Sequence, residues 1–433
     1  MKFSRVAATC ALAQGALSWP GMTATFQNVL KRAERAAAAN ADCKESVELI
    51  GDLEWLQDHE LSNIGALVRN IILGYESGET DQIRNAPPLH SYECQQDTCC
   101  VWWYIADEME RLFRGPSGRC TNPARAAIRL GFHDAAGWSK FTGQSGGADG
   151  SIVLAPEESQ RLLNGGLQEI IEQMKIWHSK WESYGVGMAD LIQMAATVAT
   201  VVCPLGPRIR SFVGRPDNSN PCQDGLLPLV DADADTLIEL FRAKTIQPYG
   251  LAALLGAHST SQQRFVDPSR FGDPQDSTPG VWDTLFYSET LSGRAPPRVF
   301  TLRSDIVLSE DPRIYPEFRA FAGPGGQQHW NNDYAREYVR LSLLGVYNIN
   351  NLTDCSWVLP PAIRPRYDND GYPTDQWAIN AWANTTINIP EIAEEVMAGN
   401  PITNLIGLLA PGANQEKRIF CWDATPTIKA GCI

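Results

Sequence analysis

The chain has 433 residues, 44% of them apolar and 20% charged, with a formal net charge of −14. It is long enough to bury a large core, and its acidic balance disfavours nucleic acid and anionic membrane as partners. It contains no Lys/Arg-rich run and no nucleic-acid motif.

The N-terminus, MKFSRVAATCALAQGALSWPG, sets Lys2 and Arg5 before an apolar stretch with small residues near Ala16 and Leu17. This is the order of a secretory signal peptide, predicted over residues 1–20 and carrying Cys10 away with it. The remaining cysteines, Cys43, Cys94, Cys99, Cys100, Cys120, Cys203, Cys222, Cys355, Cys421 and Cys432, are even in number and lack the matched C-x-x-C pairs of a metal knuckle. Disulfides in an oxidising compartment fit them better. Glycosylation sequons at Asn351 and Asn384 agree with a secreted, extracellular protein.

Residues 21–90 read as a helical extension. FQNVLKRAERAAAANADCKE is rich in helix formers, LSNIGALVRNIILG repeats apolar residues at helical spacing, and Pro87-Pro88 close the segment. CVWWYIADEMERLF predicts the next helix and GPSGRC a loop. A helix follows over Ala124–His133, then a glycine-rich loop over Gly143–Gly150, then helices over Gly166–Tyr184 and Met188–Val202. The apolar run Val186–Cys203 is short for a membrane span and is interrupted by Asp190 and Gln193, so it predicts a buried core helix. DADADTLIELFRAKTI opens with acidic residues suited to a helix start, and PYGLAALLGAHS is a short apolar helix ending at His258. Long strand patterns are nearly absent and no internal repeat occurs, so the fold class is mainly α. Residues 361–433, rich in Pro, Asn and Gly, predict an irregular wrapping tail with short helical turns.

Six histidines are available: His59, His90, His133, His178, His258 and His329. His133 or His258 alone reads as an ordinary core histidine. Their neighbours change that. Arg129 lies four residues before His133, so both project from one helix face, and Phe132 adds a flat apolar wall. A buried arginine is costly unless it meets an anion or polar ligand. A base, a fixed cation and an aromatic wall together suit cleavage of a small peroxide bond. The base moves a proton from one oxygen to the other, and the cation stabilises charge on the leaving oxygen. Haem would supply the electrons, with His258 as proximal ligand and Asp305 in FTLRSDIVL as the carboxylate on its second nitrogen. Two oxygen-rich loops suit calcium: Asp134 with Gly147, Asp149 and Ser151, and Ser259 with Asp276, Thr278, Val281 and Asp283. Each includes the residue directly after one of the two histidines.

The stretches IRLGFHDAAGW, GGADGSI, VGRPD, DGLLP, LLGAHS, DSTPGVWD, FTLRSD and LTDCS occur in that order between about Glu93 and Pro360. In them the chain resembles the secreted fungal haem peroxidases of the plant-peroxidase superfamily, the lignin and manganese peroxidase class. The resemblance implies a fold with haem b between distal and proximal helical halves, a peroxidase domain over residues 91–360, and two calcium ions. It gives Arg129, Phe132 and His133 as the distal triad. Asn164 in LLNGGL is then the asparagine bonding the distal histidine, and Glu158, with one residue deleted between, the glutamate behind it. His258 is the iron ligand, Asp305 its aspartate, and the two oxygen-rich loops are the calcium sites. It also implies disulfides Cys94–Cys100, Cys99–Cys355 and Cys120–Cys203, leaving Cys43, Cys222, Cys421 and Cys432 with open pairing. Phe132, where the intracellular branch has tryptophan, speaks against that branch.

The chain departs from the manganese-oxidising members, whose three carboxylates correspond to Asn122, Ala126 and Arg264. It departs from the lignin-oxidising members, whose surface tryptophan corresponds to Ala253, and it has Gln275 where an aromatic is usual. Trp102, Trp103, Trp177, Trp181 and Trp282 are the remaining candidates for carrying a radical, against ordinary packing. The expected activity is reduction of hydrogen peroxide and one-electron oxidation of small aromatic donors by a monomer. The alternative is a low-turnover secreted haem protein whose extension and tail serve binding. A zinc hydrolase finds no close ligand cluster in the sequence.

Overall fold

The computed structural model describes residues 48–363, 373 and 375–402. The expected signal peptide, the first part of the extension, the end of the tail, and Cys10, Cys43, Cys421 and Cys432 lie outside the described residues. Helices of two turns or more are α1 (Asn63–Ile72), α2 (Cys100–Phe113), α3 (Asn122–Ala135), α4 (Gln168–Trp181), α5 (Met188–Val202), α6 (Ala234–Arg242) and α7 (Pro248–Leu255). They continue as α8 (Leu285–Ser292), α9 (Arg303–Glu310), α10 (Tyr315–Ala322), α11 (Gly326–Leu341), α12 (Gln376–Ala383) and α13 (Pro390–Ala398). Among the described residues, the sheet is one antiparallel pair, β1 (Phe212–Val213) on β2 (Thr353–Asp354), in register Phe212 with Asp354.

The centre is α5, all of whose residues are buried. It packs along α3, and Gly131 permits the close approach: a Cβ there would lie 2.7 Å from Ala196 Cβ. The polar residues that interrupted the apolar run are satisfied inside. Gln193 donates to Gly131 O at 3.0 Å and accepts from Tyr338 OH, while Asp190 pairs with Arg215 at 2.9 Å and accepts from Gly214 N. Burial raises the Asp190 carboxyl despite that arginine. No single helix among the described residues is long and apolar enough to cross a bilayer. At the C-terminus of α3, the buried Lys244 ammonium donates to Ala136 O and Trp138 O, both at 2.8 Å, satisfying the C-cap carbonyl and one in the turn that follows.

The boundaries expected for α2 and α5 coincide with the structure, and α4 continues as a 3₁₀ turn to Tyr184. The extension differs from the all-helical expectation. Among its described residues, α1 is flanked by 3₁₀ turns at Gly51–Glu54 and Asp58–Glu60, and residues 73–91 form no helix. Gly74, at φ +78°, stops α1, and Gly78 runs against the α11 backbone, where a Cβ would lie 2.6 Å from Ala335 C. Ile50, Leu53, Val68, Ile71 and Ile72 join the main core, and Asp52 accepts from the backbone of Ile349 and Asn350. The sequence pattern also does not predict α8 to α11. They carry an aromatic cluster in which Trp282 stacks on Trp330 with centroids 4.8 Å apart and Tyr287 and Tyr334 meet them edge-on.

Disulfides join Cys94–Cys100, Cys99–Cys355 and Cys120–Cys203, as the resemblance implied. In the tail, α12 and α13 bury Ile379, Trp382, Ile392 and Val396 in their own apolar cluster. The buried Arg119–Asp375 ion pair ties it to the body, and Arg125 donates to Val396 O and Met397 O.

Candidate active site

Helix α3 sets Arg129 and His133 one turn apart, and Arg129 Nε lies 3.2 Å from His133 Nε2. The remaining guanidinium nitrogens donate to Gly165 O and Leu163 O, each at 2.9 Å. His133 Nδ1 meets Asn164 Oδ1 at 2.8 Å, and Asn164 Nδ2 donates to Glu158 O at 2.8 Å. Because the Glu158 carbonyl can only accept, the asparagine oxygen must face the imidazole. The proton therefore sits on Nδ1, and Nε2 keeps its lone pair. Burial, then the charge of Arg129, lowers the His133 pKa to about 3, against a smaller opposite push from Asn164. Burial also lowers Arg129 to about 10. Phe132 lies edge-on to His133 and stacks on Phe241 of α6 with centroids 6.1 Å apart.

The other imidazole stands on the 3₁₀ turn Gly256–Thr260 that follows α7. Only glycine fits at its start: a Cβ on Gly256 would lie 2.4 Å from the Trp330 ring. Trp330 Nε1 and Tyr287 OH donate to Ala253 O and Ala252 O, fixing the end of α7. His258 Nδ1 lies 3.2 Å from Oδ2 of the fully buried Asp305, and Asp305 Oδ1 has no hydrogen-bond partner. Burial lowers the His258 pKa, but the Asp305 charge and hydrogen bond outweigh it and leave the pKa raised. The Arg129 charge is a smaller push the other way. A third of the His258 side chain stays open, and its Nε2 is available. Two imidazoles, each engaged at Nδ1, with the His133 Nε2 lone pair turned to the Arg129 Nε–H and the His258 Nε2 left open, suit an iron porphyrin ligated on the His258 side.

The calcium candidates also come together. Asp134 is fully buried and accepts from Gly150 N at 3.1 Å. Burial raises it well above the usual carboxylate range, and the charges of Asp149 and Glu158 add to that. Ser151 Oγ, also buried, has no partner. In the other loop Asp276 accepts from Thr278 and from Phe286 N. Burial, then the Asp283 charge, raises Asp276, and burial raises Asp283 to about 6. Ser259 is buried with its hydroxyl on Val281 O, and Gly147, at φ +110°, faces Leu344 O. Buried carboxylates crowded against one another are the donor set a hard dication would relieve.

Asn122 and Ala126 are half-buried on α3, and Arg264 lies beside the rings of Phe265 and Phe271. Ala253 is fully buried. Trp102, Trp177, Trp181 and Trp282 are buried and Trp103 half-buried, whereas Trp55 and Trp377 are exposed. Among the described residues one further cluster, Glu317, His329 and Asp333, brings metal-binding atoms together, but Arg336 already stands 3.5 Å from Asp333. Phe241, Arg161 and Cys222 are site neighbours that the sequence did not single out. The pocket beside His133 is a narrow one, bordered by Glu158, Arg161, Asn164 and Cys222.

Residues 105–323 match the family model described as Peroxidase. The chain is 33% identical over 286 residues to a peroxidase of Arthromyces ramosus, covering 61% of this chain and 77% of that protein. It is 34% identical over 298 residues to Ligninase C of Trametes versicolor, covering 62% and 77%. It is 32% identical over 302 residues to Ligninase H2 of Phanerodontia chrysosporium, covering 64% and 78%.

Proposed function

The chain belongs to the peroxidase family and is an enzyme of the fungal haem-peroxidase type; from that premise we propose how its own residues divide the reaction. His133 accepts the proton of the incoming hydrogen peroxide at Nε2 and returns it to the departing oxygen. Arg129 stabilises the charge that develops as the oxygens separate. Asn164 keeps the His133 proton on Nδ1, so the base is always presented in one tautomer. On the other side His258 ligates the iron through Nε2, and Asp305 orients it and strengthens it as a donor. Haem b, when bound, supplies the iron at which the peroxide bond is cleaved and the electrons that small aromatic donors then restore singly.

The observation that carries this reading is the pairing of the two imidazoles. One is bonded at 2.8 Å to a neutral amide under an arginine; the other is bonded at 3.2 Å to a buried carboxylate. Asp134, Gly147, Asp149 and Ser151 hold one calcium ion, and Ser259, Asp276, Thr278, Val281 and Asp283 the other. Residues of these loops adjoin His133 and His258, so an ion held there would brace the two segments that carry the histidines. Without a carboxylate at Asn122, Ala126 or Arg264, and with Arg264 cationic, manganese(II) is not a donor at that edge. With Ala253 buried, no long-range relay starts there. The chain is secreted after loss of residues 1–20 and acts as a monomer, with residues 91–360 as the catalytic domain. Both sequon asparagines, Asn351 and Asn384, are exposed, which supports their glycosylation.

Stopped-flow absorbance of the haem-loaded protein tests this reading. Hydrogen peroxide should change the haem spectrum rapidly. A phenol should restore it, and manganese(II) should not. Fast restoration by manganese(II) would contradict the argument from Asn122, Ala126 and Arg264. A haem band that never responds to peroxide would favour the low-turnover binding protein.

A further inference from the structure

Behind the His133–Asn164 bond lies a second layer of contacts, built on a residue outside the family's motifs. Among the described residues, Cys222 is the buried cysteine that forms no disulfide. Its amide donates to Glu158 Oε2 at 2.8 Å and its thiol to Glu158 Oε1 at 3.1 Å, so both carboxylate oxygens are held by one residue. Arg161 closes the group from outside, donating to Cys222 O at 2.6 Å and to Cys222 Sγ at 3.2 Å. Glu158 in turn gives its backbone carbonyl to Asn164, which bonds His133. Cys222 is also wedged in place. A Cβ on Gly137 would lie 2.8 Å from its sulfur, and one on Gly146 would lie 2.9 Å from its Cβ. Cys222 and His133 border the same narrow cavity.

We propose that Cys222, with Arg161 behind it, is a positioning residue for peroxide cleavage: its thiol and amide clamp the Glu158 carboxylate, and the clamped Glu158–Asn164 turn holds His133 in its proton-accepting tautomer. This rests on the role given to His133 above. The thiol acts as a hydrogen-bond donor rather than as a target of the peroxide. Burial and then the Glu158 charge push the Cys222 thiol up to about 12, so it stays protonated and is a poor nucleophile. Losing the S–H donor leaves a buried carboxylate oxygen unpaired. The turn then relaxes toward other partners, and Asn164 loses its fixed distance from the imidazole. Because the clamp touches only the peroxide side, its loss should slow the reaction with peroxide and leave the reaction with the reducing donor unchanged.

The test uses the haem-loaded full chain, with steady-state kcat/KM measured separately for hydrogen peroxide and for a phenol. Cys222→Ala should lower the peroxide constant about tenfold, a part of the roughly 10²–10⁴ that the positioned base itself supplies. The phenol constant should stay within about twofold, a split that a general loss of stability would not produce. Cys222→Ser, which keeps a hydroxyl donor to Glu158, should recover most of the loss. Arg161→Met should lower the peroxide constant in the same direction, and it carries the test alone should the alanine variant fail to load haem. Both constants falling together, or neither falling, would overturn the proposal. His133→Ala separates the two levels. If it lowers the peroxide constant while Cys222→Ala and Arg161→Met do not, only the clamp is wrong. If His133→Ala itself has no effect, the reading of His133 fails and the clamp with it.

Discussion

The two halves of the site use the same side chain for opposite ends. His133 stands on a regular helix, faces a neutral amide and an arginine, and has its pKa lowered to about 3, mainly by burial. His258 stands on a 3₁₀ turn, faces a buried carboxylate, and has its pKa raised against its own burial. The imidazole is identical in both; the second partner decides whether it accepts protons or donates electron density to a metal. The lesson is that a histidine in this chain is assigned by what holds its Nδ1. In the proposed reading, the Asn164 contact marks the base and the Asp305 contact marks the iron ligand.

The largest expected effect that sharpens this contrast is on the distal side. His133→Ala should slow the reaction with peroxide by about 10²–10⁴ while the haem remains bound, read by stopped-flow absorbance. Removing calcium should act on both halves at once. A chelator added to protein saturated at about a hundred to a thousand times Kd should remove roughly 3–4 kcal/mol of stability, read as a lower Tm. Asp149→Asn should then impair the peroxide reaction selectively, and Asp283→Asn the iron's ligation, because each loop abuts a different histidine. On the proximal side Asp305→Asn keeps the shape and removes the charge. It should cost about 10–100-fold in activity and raise the iron's reduction potential, measured by spectroelectrochemistry. The smallest effect on activity is expected from Arg119→Met. It leaves the buried Asp375 without its cation and held only by the Ile402 N–H, at a cost of about 3–5 kcal/mol in the packing of the tail, but the peroxide rate should stay within about twofold. A large loss of rate there would mean that the tail, not the two histidines, sets the chemistry.

Much of this was legible in the sequence because the decisive spacing is local. Arg129 and His133 are one helical turn apart, and α2 and α5 announce themselves by apolar periodicity. Helix α11 did not, because its buried stripe is aromatic: Trp330, Tyr334 and Tyr338 recur every four residues among Gln, Asn and Asp. The described part of the extension is less helical than its sequence predicts, because Gly74 ends α1 and Gly78 is needed for contact with α11. Cys222 was invisible as a site neighbour for another reason. Its partner Glu158 is 64 residues away, and no local pattern marks a contact of that range. Lys244, which caps α3 from 108 and 106 residues beyond the carbonyls it holds, is the same case.

The pH dependence of the peroxide reaction in the wild-type holoenzyme is the most direct measurement. With the His133 pKa lowered to about 3, the neutral, proton-accepting form persists far below the ordinary histidine range and is lost only as pH falls through that value. The rate constant, followed by stopped-flow at constant haem content, should therefore stay level from neutral pH to about one unit above that pKa, then fall about tenfold per unit below it. A break at the pH of an ordinary histidine, about 6.5, would contradict the account, because His133 would then lack the burial and the arginine that keep it a base.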